Sequence, residues 1–195
     1  MTVRQPQHQI DALFTERWSP RAFSDEAIPQ DVLMSVFEAA HWAPSAFNLQ
    51  PWRFVFAHRH GEGWAALLGL LDPENQAWAH RAAALIFLLS HRLRRRSNGQ
   101  MEPIYSHSFD AGAAWGSLAL QAHGLGWAAR AMVGFDHDRC YEALGVSPEE
   151  YRVEVAIAIG RQTDKSVLPE HYQARETPSA REPVSHLVFE GRFAP

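Results

Sequence analysis

The sequence has a single cysteine and no long apolar run, and each of these deficits excludes a class of protein. Cys140 cannot form an intramolecular disulfide or a Cys-rich metal site, and such cysteine usage is typical of a reducing compartment. The longest apolar run, residues 82–89, is far too short to cross a bilayer, and residues 1–14 lack the apolar core of a signal peptide. We therefore expect a cytoplasmic protein with no membrane partner.

A basic excess is also missing. The formal net charge is −4, which argues against a nucleic-acid partner or an anionic membrane surface. Hydrophobic residues make up 46% of the chain and charged residues 21%, both ordinary values for a globular protein. The 195 residues fit one domain, and we expect a single domain over residues 1–195.

Several common catalytic motifs are absent from the sequence. There is no G-x-G-x-x-G, no G-x-x-x-x-G-K-[ST], no G-x-S-x-G and no H-E-x-x-H. His58 and His60 are close together but lack a third ligand at a suitable spacing, so no metal site is predicted. No proton-transfer pair is evident either. These absences indicate a chain that holds a cofactor, which then carries out the chemistry.

Hydrophobic periodicity predicts helices and strands that alternate irregularly, with long tracts between them, which favours the α+β class. The tract 91–108 is expected to be a loop, and the tail 162–195 has little core of its own. The predicted helices are 7–15, 30–42, 64–71, 109–123 and a helix after Asp136 to about 144; the predicted strands are 53–57, 84–90 and 153–160.

The predicted helix 109–123 is apolar almost all round, so we expect it to be central and buried. This helix lacks bulky side chains at Gly112, Ala113 and Gly116, which lets another helix approach closely. The tail 162–195 is expected to wrap over another body, such as a partner subunit.

Polar side chains recur in two turns. Arg17, Ser19 and Arg21 lie in the first turn, and two or three arginines with a serine suit a phosphate because guanidinium pairs bidentately with phosphate oxygens. Ser45 and Asn48 lie in the second turn and suit a polyol or the edge of a heterocycle. The alternatives are that these arginines are ordinary surface residues and that Asn48 caps a turn.

The basic run 91–96 also has two interpretations. It is a solvated turn after a buried strand, or it contacts the phosphate of NADPH. The first interpretation is the more common one for such runs.

Five stretches give the chain a family resemblance, and they cover nearly all of it in the right order. They are RWSPRAF (17–23), APSAFNLQPWRF (43–54), GLGWAARAMVGFD (124–136), VEVAIAIGR (153–161) and, more weakly, PSAREPVSHLVF (178–189). The chain resembles the FMN-dependent nitroreductases. That resemblance implies an α+β homodimer with a central, mainly antiparallel sheet flanked by helices. It also implies two FMN sites at the dimer interface and a C-terminal extension, 162–195, that embraces the partner subunit.

The resemblance implies a flavin-dependent oxidoreductase. NAD(P)H would reduce FMN at N5 and leave, after which a small electrophile would take the electrons in a ping-pong reaction. Nitroaromatics, quinones and activated carbonyls or alkenes are the implied acceptors. The alternative is an FMN-binding carrier or sensor without efficient turnover, and a third possibility, an anion or nucleic-acid binder using residues 91–96, conflicts with the acidity of the chain.

By resemblance, one subunit supplies most of the flavin contacts. The phosphate and the ribityl chain would lie near the turn and the tail, Arg21 would face the pyrimidine edge, and Asn75 would contact the flavin edge. The segment 131–134 would cross the flavin face, with a backbone N–H directed at N5. The residues implied for this subunit are Arg17, Trp18, Ser19, Arg21, Asn75, Ala131, Met132, Val133, Gly134 and Arg181.

The other subunit would line the ring and the ribityl chain with four residues. The chain departs from the family pattern at Val133, where some members have an acidic residue, so only the backbone role carries over. It also has Trp18 where a second arginine is common, which leaves less positive charge around the phosphate. The residues implied for the other subunit are Pro44, Ser45, Ala46 and Asn48.

Overall fold

A four-stranded sheet lies at the centre of the structure, a computed structural model that describes residues 4–193. A separate two-stranded hairpin follows the second strand. The strands in chain order are β1 (Trp52–His58), β2 (Ala84–His91), β3 (Leu93–Arg95), β4 (Met101–Pro103), β5 (Ala128–Met132) and β6 (Tyr151–Gly160).

Helices cover both faces of the sheet. Short 3₁₀ turns also occur at Ala46–Asn48, Lys165–Val167 and Val184–His186. The α-helices in chain order are α1 (Ala12–Glu16), α2 (Gln30–His41), α3 (Trp64–Leu70), α4 (Pro73–Ala79), α5 (His107–Gly124), α6 (His137–Leu144) and α7 (Glu170–Gln173).

The sheet order is β1-β2-β6-β5, and all three pairings are antiparallel. The α+β class with a central antiparallel sheet flanked by helices is therefore confirmed. Strand β2, predicted at residues 84–90, is buried along those residues, as is typical of an apolar run covered on both faces. Leu85, Phe87 and Leu89 face one layer of core, and the alternate residues face the other.

The two layers of core differ in their helices. Helices α2 and α5 pack together on one face, where Leu33 and Leu118 are fully buried. Helices α3, α4 and α6 contribute to the opposite layer, whose largest fully buried side chain is Trp78. Phe23, just after the first turn, is also fully buried there, with its ring 6.2 Å from that of Trp78. The core thus fixes the segment that carries the first predicted site residues.

The predicted helix 7–15 is wrong in extent. Helix α1 starts only at Ala12, where the Asp11 side chain accepts a hydrogen bond from the backbone N–H of Leu13. No residue of α1 is buried, and Ile10 and Phe14 are 50% and 56% exposed. The apolar spacing there produced no packed face within this chain.

Three further elements were missed. The tract 91–108 is not only a loop, since it contains the β3–β4 hairpin and the start of α5. Helix α4 begins with an Asp72 cap and Pro73 at its first position, a typical start that the prediction overlooked. Strand β5 was overlooked because its alanine-rich sequence favours helix, whereas pairing with β6 makes it a strand.

Two predictions about burial are corrected in part. Helix α5 is buried along one face only, and a side-chain atom at Gly112 or Gly116 would meet no neighbouring group within 4 Å. The tail packs partly on its own chain, because Leu168 and Tyr172 are buried. Cys140 is fully buried. No helix within residues 4–193 is long and apolar enough to cross a membrane.

The close approach of Phe23 to β6 gives a stability test. A Cβ added at Gly160 would lie 2.8 Å from the Phe23 ring, so Gly160→Ala should lower the free energy of unfolding by about 1–3 kcal/mol through overpacking. Gly69→Ala is the matched control. It lies in helix α3 with no neighbour within 4 Å, so it should stabilise by about 0.5–1 kcal/mol. Denaturant unfolding measures both, and equal midpoints would contradict the packing assigned to Phe23.

Candidate functional site

A cavity of about 230 Å³ lies between the first turn, strand β5 and the tail. We call it the arginine cavity, because six arginines line it. The turn is positioned by Pro20, which stops helical continuation, and by the bridge between Phe23 and Gln162. The lining residues are Arg4, Arg17, Trp18, Ser19, Arg21, Arg130, Arg175, Thr177, Ser179 and Arg181.

Arg4 holds the turn and the tail against each other. Its Nη1 donates to the carbonyls of Thr15 (3.1 Å) and Arg17 (2.7 Å), and its Nε donates to the carbonyl of Ser179 (3.0 Å). One guanidinium therefore binds three carbonyls from segments far apart in sequence. Arg4 therefore positions the wall of the cavity and also adds positive charge to it.

The arginines of the cavity repel one another. The pKa of Arg17 is lowered by burial and then by the charges of Arg4 and Arg181. The pKa of Arg130 falls to about 10, again through burial first and the charge of Arg21 second. A phosphate dianion would relieve this repulsion, because each guanidinium can donate to its oxygens. The donor set fits a phosphomonoester.

Arg130 connects the cavity to strand β5. Its Nη1 donates to the carbonyl of Ser19, and its guanidinium lies 5.7 Å from the centre of the Trp78 ring. The same strand continues into Ala131 and Met132, so the cavity and the segment 131–134 share one backbone. Arg17 Nη1 donates to Ser19 Oγ at 3.2 Å, which orients both groups toward the cavity.

A buried carboxylate supports the turn from behind. Glu176, with its side chain 3% exposed, accepts hydrogen bonds from the backbone N–H groups of Arg21 (2.5 Å) and Ala22 (2.9 Å). Its other oxygen lies 3.4 Å from Arg21 Nη1, and the Arg21 guanidinium lies 5.3 Å from the centre of the Tyr172 ring. Glu176 and Tyr172 therefore fix where Arg21 points.

The segment after β5 is braced by helix α4. Asn75 Nδ2 donates to the carbonyl of Gly134 at 3.0 Å, and the backbone N–H of Asp72 donates to the same carbonyl at 3.1 Å. A Cβ at Gly134 would lie 2.0 Å from Asp72 Oδ2, so this close approach requires glycine. Val133, next to it, is 69% exposed. The structure thus brings Asn75 to the 131–134 segment.

The second turn lies apart from the arginine cavity. None of Pro44, Ser45, Ala46 and Asn48 lines it. Ser45 Oγ accepts from the backbone N–H of Gln50 at 3.0 Å, and Asp110 of α5 accepts from that of Ala46 at 3.3 Å. These bonds hold the turn open toward solvent. A single chain does not join the two predicted halves of the site.

Sequence reasoning missed three arginines of the cavity: Arg4, Arg130 and Arg175. Arg130 directly precedes the predicted segment 131–134, but only the pairing of β5 with β6 places it at the cavity. Arg4 and Arg175 carry no local signal, since an isolated arginine is usually a surface residue.

Comparison with known proteins relates this chain to a family, to two relatives and to a solved structure. A family model described as the nitroreductase family matches residues 14–161. An NADH dehydrogenase of Thermus thermophilus is 28% identical, with 89% of this chain and 92% of the relative covered. A CLA biosynthesis enone reductase of Lactiplantibacillus plantarum is 26% identical, covering 85% of this chain and 90% of the relative. A solved structure, of an oxidoreductase containing FMN, is 48% identical with a TM-score of 0.95, covering 98% and 96% of the two chains.

The role of Glu176 can be tested without any ligand. Glu176→Ala leaves two backbone N–H groups of the turn without an acceptor, and should lower the free energy of unfolding by about 1–3 kcal/mol. Glu176→Gln keeps an oxygen acceptor and should lose less. Glu182→Ala is a matched control, because its side chain is 73% exposed in the tail. Chemical denaturation measures all three, and an Ala variant as stable as the control would show that Glu176 does not hold the turn.

Proposed function

The chain belongs to the nitroreductase family, and we propose that it is a homodimeric, FMN-dependent NAD(P)H oxidoreductase that reduces a small electrophilic acceptor. The observation that carries this proposal is the arginine cavity, whose donors suit a phosphate and which adjoins the segment 131–134 through β5. The similar solved structure contains FMN, and the relative from Thermus thermophilus is named an NADH dehydrogenase.

FMN, when bound, would accept a hydride from NAD(P)H at N5 and deliver it to the acceptor in a separate half-reaction. Nitroaromatics, quinones and activated carbonyls or alkenes are the acceptors we propose. The enone reductase among the relatives supports an activated alkene or carbonyl as one class.

The phosphate would be held by the arginine cavity. Arg17, Ser19 and Arg181 would donate to it, with the Trp18 backbone beside the ribityl chain, as the family resemblance implies. Arg130 adds a cation that this resemblance did not include. Because Arg130 is half-buried next to Arg21, the two charges favour an anion.

Arg21 would stabilise negative charge on the pyrimidine side of the flavin. Glu176 keeps its guanidinium in place and offsets part of its charge. Asn75 would contact the flavin edge, and the segment from Ala131 to Gly134 would cross the ring face with a backbone N–H directed at it. The rigid brace between Asn75 and Gly134 supports that placement.

The partner subunit would complete the site with Pro44, Ser45, Ala46 and Asn48. Two exposed features support a homodimer. One is the face of α5 with Gly112 and Gly116, which has open space beside it and Phe109 83% exposed. The other is the end of the tail, residues 177–193, where Leu187 and Val188 are 64% and 68% exposed. We propose that these surfaces pack on the second copy.

The proposed reaction has a direct spectroscopic test. The purified protein should show flavin absorbance that bleaches when NADH or NADPH is added without oxygen, and a quinone or an enone should restore it. Arg21→Ala should shift the two-electron potential by roughly 30–60 mV to more negative values, since a charge-assisted hydrogen bond contributes about 1.5–3 kcal/mol.

The control is Arg139→Ala, whose exposed side chain contacts only Asp136 at 4.0 Å among ion pairs of the described chain. A protein that binds no FMN would overturn the proposal. A flavin that neither donor bleaches would favour the carrier alternative, and an unchanged potential in Arg21→Ala would remove its assigned role.

Dimer dependence is a separate prediction. Gly116→Arg places a charge on the open face of α5 and should yield a monomer that retains little FMN. Gly69→Arg is the matched control, because Gly69 also has no neighbour within 4 Å but lies on α3. Analytical ultracentrifugation and the ratio of flavin to protein absorbance measure both effects. A Gly116→Arg protein that stays dimeric with full FMN would contradict the interface.

A further inference from the structure

A second cavity, of about 590 Å³, lies where the β3–β4 hairpin faces the second turn. We call it the hairpin cavity. It is separate from the arginine cavity, with no lining residue in common. The lining residues used below are Phe47, Arg94, Arg95, Arg96, Asn98 and Glu102.

The turn on one side of the cavity is strained. Phe47, Asn48 and Gln50 have φ angles of 52°, 56° and 47°, a region that non-glycine residues rarely adopt. Such residues cost about 1–3 kcal/mol each and persist only where the surroundings enforce them. The Asp110 and Ser45 hydrogen bonds enforce this conformation. In this backbone conformation Phe47 is 85% exposed and lines the cavity.

The β3–β4 hairpin supplies the positive charge of the hairpin cavity. The Arg94 guanidinium lies 5.1 Å from the centre of the Phe47 ring, and its Nε donates to Glu102 at 2.5 Å. Arg96 pairs with the other oxygen of Glu102. The Arg95 side chain makes no hydrogen bond or ion pair within residues 4–193. Arg94 and Arg96 share the Glu102 carboxylate, whereas Arg95 is paired with Met101 across the hairpin and so lies on its other face, although it also lines the cavity. With three arginines and one carboxylate, the lining has a net charge of about two positive units.

We propose that the hairpin cavity binds the adenosine 2′-phosphate end of NADPH and makes this chain prefer NADPH to NADH. An aromatic ring with a stacked arginine suits adenine, and free guanidinium donors suit a phosphate dianion. In Rossmann-type folds an arginine near the ribose accepts the 2′-phosphate, and an arginine can act in the same way on any fold that places it there. This inference rests on the proposed function for the use of a nicotinamide donor.

The location of the cavity agrees with that role. Phe47 lies between Ala46 and Asn48, two of the residues proposed to contact the flavin across the dimer. A donor whose nicotinamide reaches the flavin could therefore place its adenosine end beside the hairpin. A solvated turn, the alternative for residues 91–96, gives no reason for a strained turn that presents an aromatic ring to Arg94.

The test uses FMN-loaded dimer and two variants from the same tract. Arg95→Ala removes a guanidinium that makes no hydrogen bond or ion pair within residues 4–193. Arg92→Ala is the matched control, because its Nη1 donates to the Pro148 carbonyl at 2.7 Å and it does not line the cavity. Stopped-flow flavin reduction gives kcat/KM for NADPH and NADH, and calorimetry compares adenosine 2′-phosphate with adenosine 5′-phosphate.

Wild-type protein should bind adenosine 2′-phosphate more tightly than the 5′ isomer and should prefer NADPH. Arg95→Ala should lower the NADPH/NADH ratio of kcat/KM by roughly ten- to hundredfold, the range expected for a lost charge-assisted hydrogen bond, and remove the difference between isomers. Equal losses for both donors, or a ratio equal to that of Arg92→Ala, would overturn the proposal. If neither donor reduces the flavin, the proposed function is wrong. The calorimetric comparison of the two adenosine phosphates still shows in that case whether the hairpin cavity binds a 2′-phosphate.

Discussion

The confinement of six arginines around one cavity is the constraint on which the rest of the site depends. Like charges confined around one cavity destabilise the folded chain. The pKa values of Arg17 and Arg130 are lowered first by burial and then by the charges of neighbouring arginines. The fold tolerates it because backbone carbonyls bind Arg4 and a buried carboxylate supports Arg21. The central sheet is buried on both faces, and the free energy gained from this hydrophobic burial offsets the cost of the repulsion between the arginines.

Most of the core could be predicted from the sequence because its signal is local. The apolar run of β2 and the helical spacing of α2 depend on their own residues. Strand β5 could not be recognised, since its alanines prefer a helix and only the hydrogen bonds to β6 make it a strand. The β3–β4 hairpin could not be recognised for the same reason. Its charged sequence shows little alternation of apolar and polar residues, and the pairing of the two strands, including the ion pair between Arg94 and Glu102, determines the structure.

From the residues alone, the candidate site could be predicted only where its residues are contiguous, whereas Asn75 and Arg181 were predicted from the family resemblance. Arg17, Ser19 and Arg21 share one short turn, and the structure brings all three into the arginine cavity with Arg181. Arg4 and Arg130 are isolated in sequence, so nothing local distinguishes them from surface arginines. The halves at 17–21 and 44–48 do not meet within one chain, and any joining of them depends on symmetry between two copies.

The arginine cavity also has a consequence for how the protein meets its ligands. The chain carries 18 lysines and arginines against 22 acidic residues, and a third of those cations line this one opening. Outside the arginine cavity and the hairpin cavity, the chain therefore has an acidic excess that repels phosphorylated molecules, while these two openings attract them. Such an asymmetric field directs diffusing anions toward these openings and weakens as ionic strength rises. Capture of a phosphorylated ligand would thus be fast in dilute salt and slower under physiological screening.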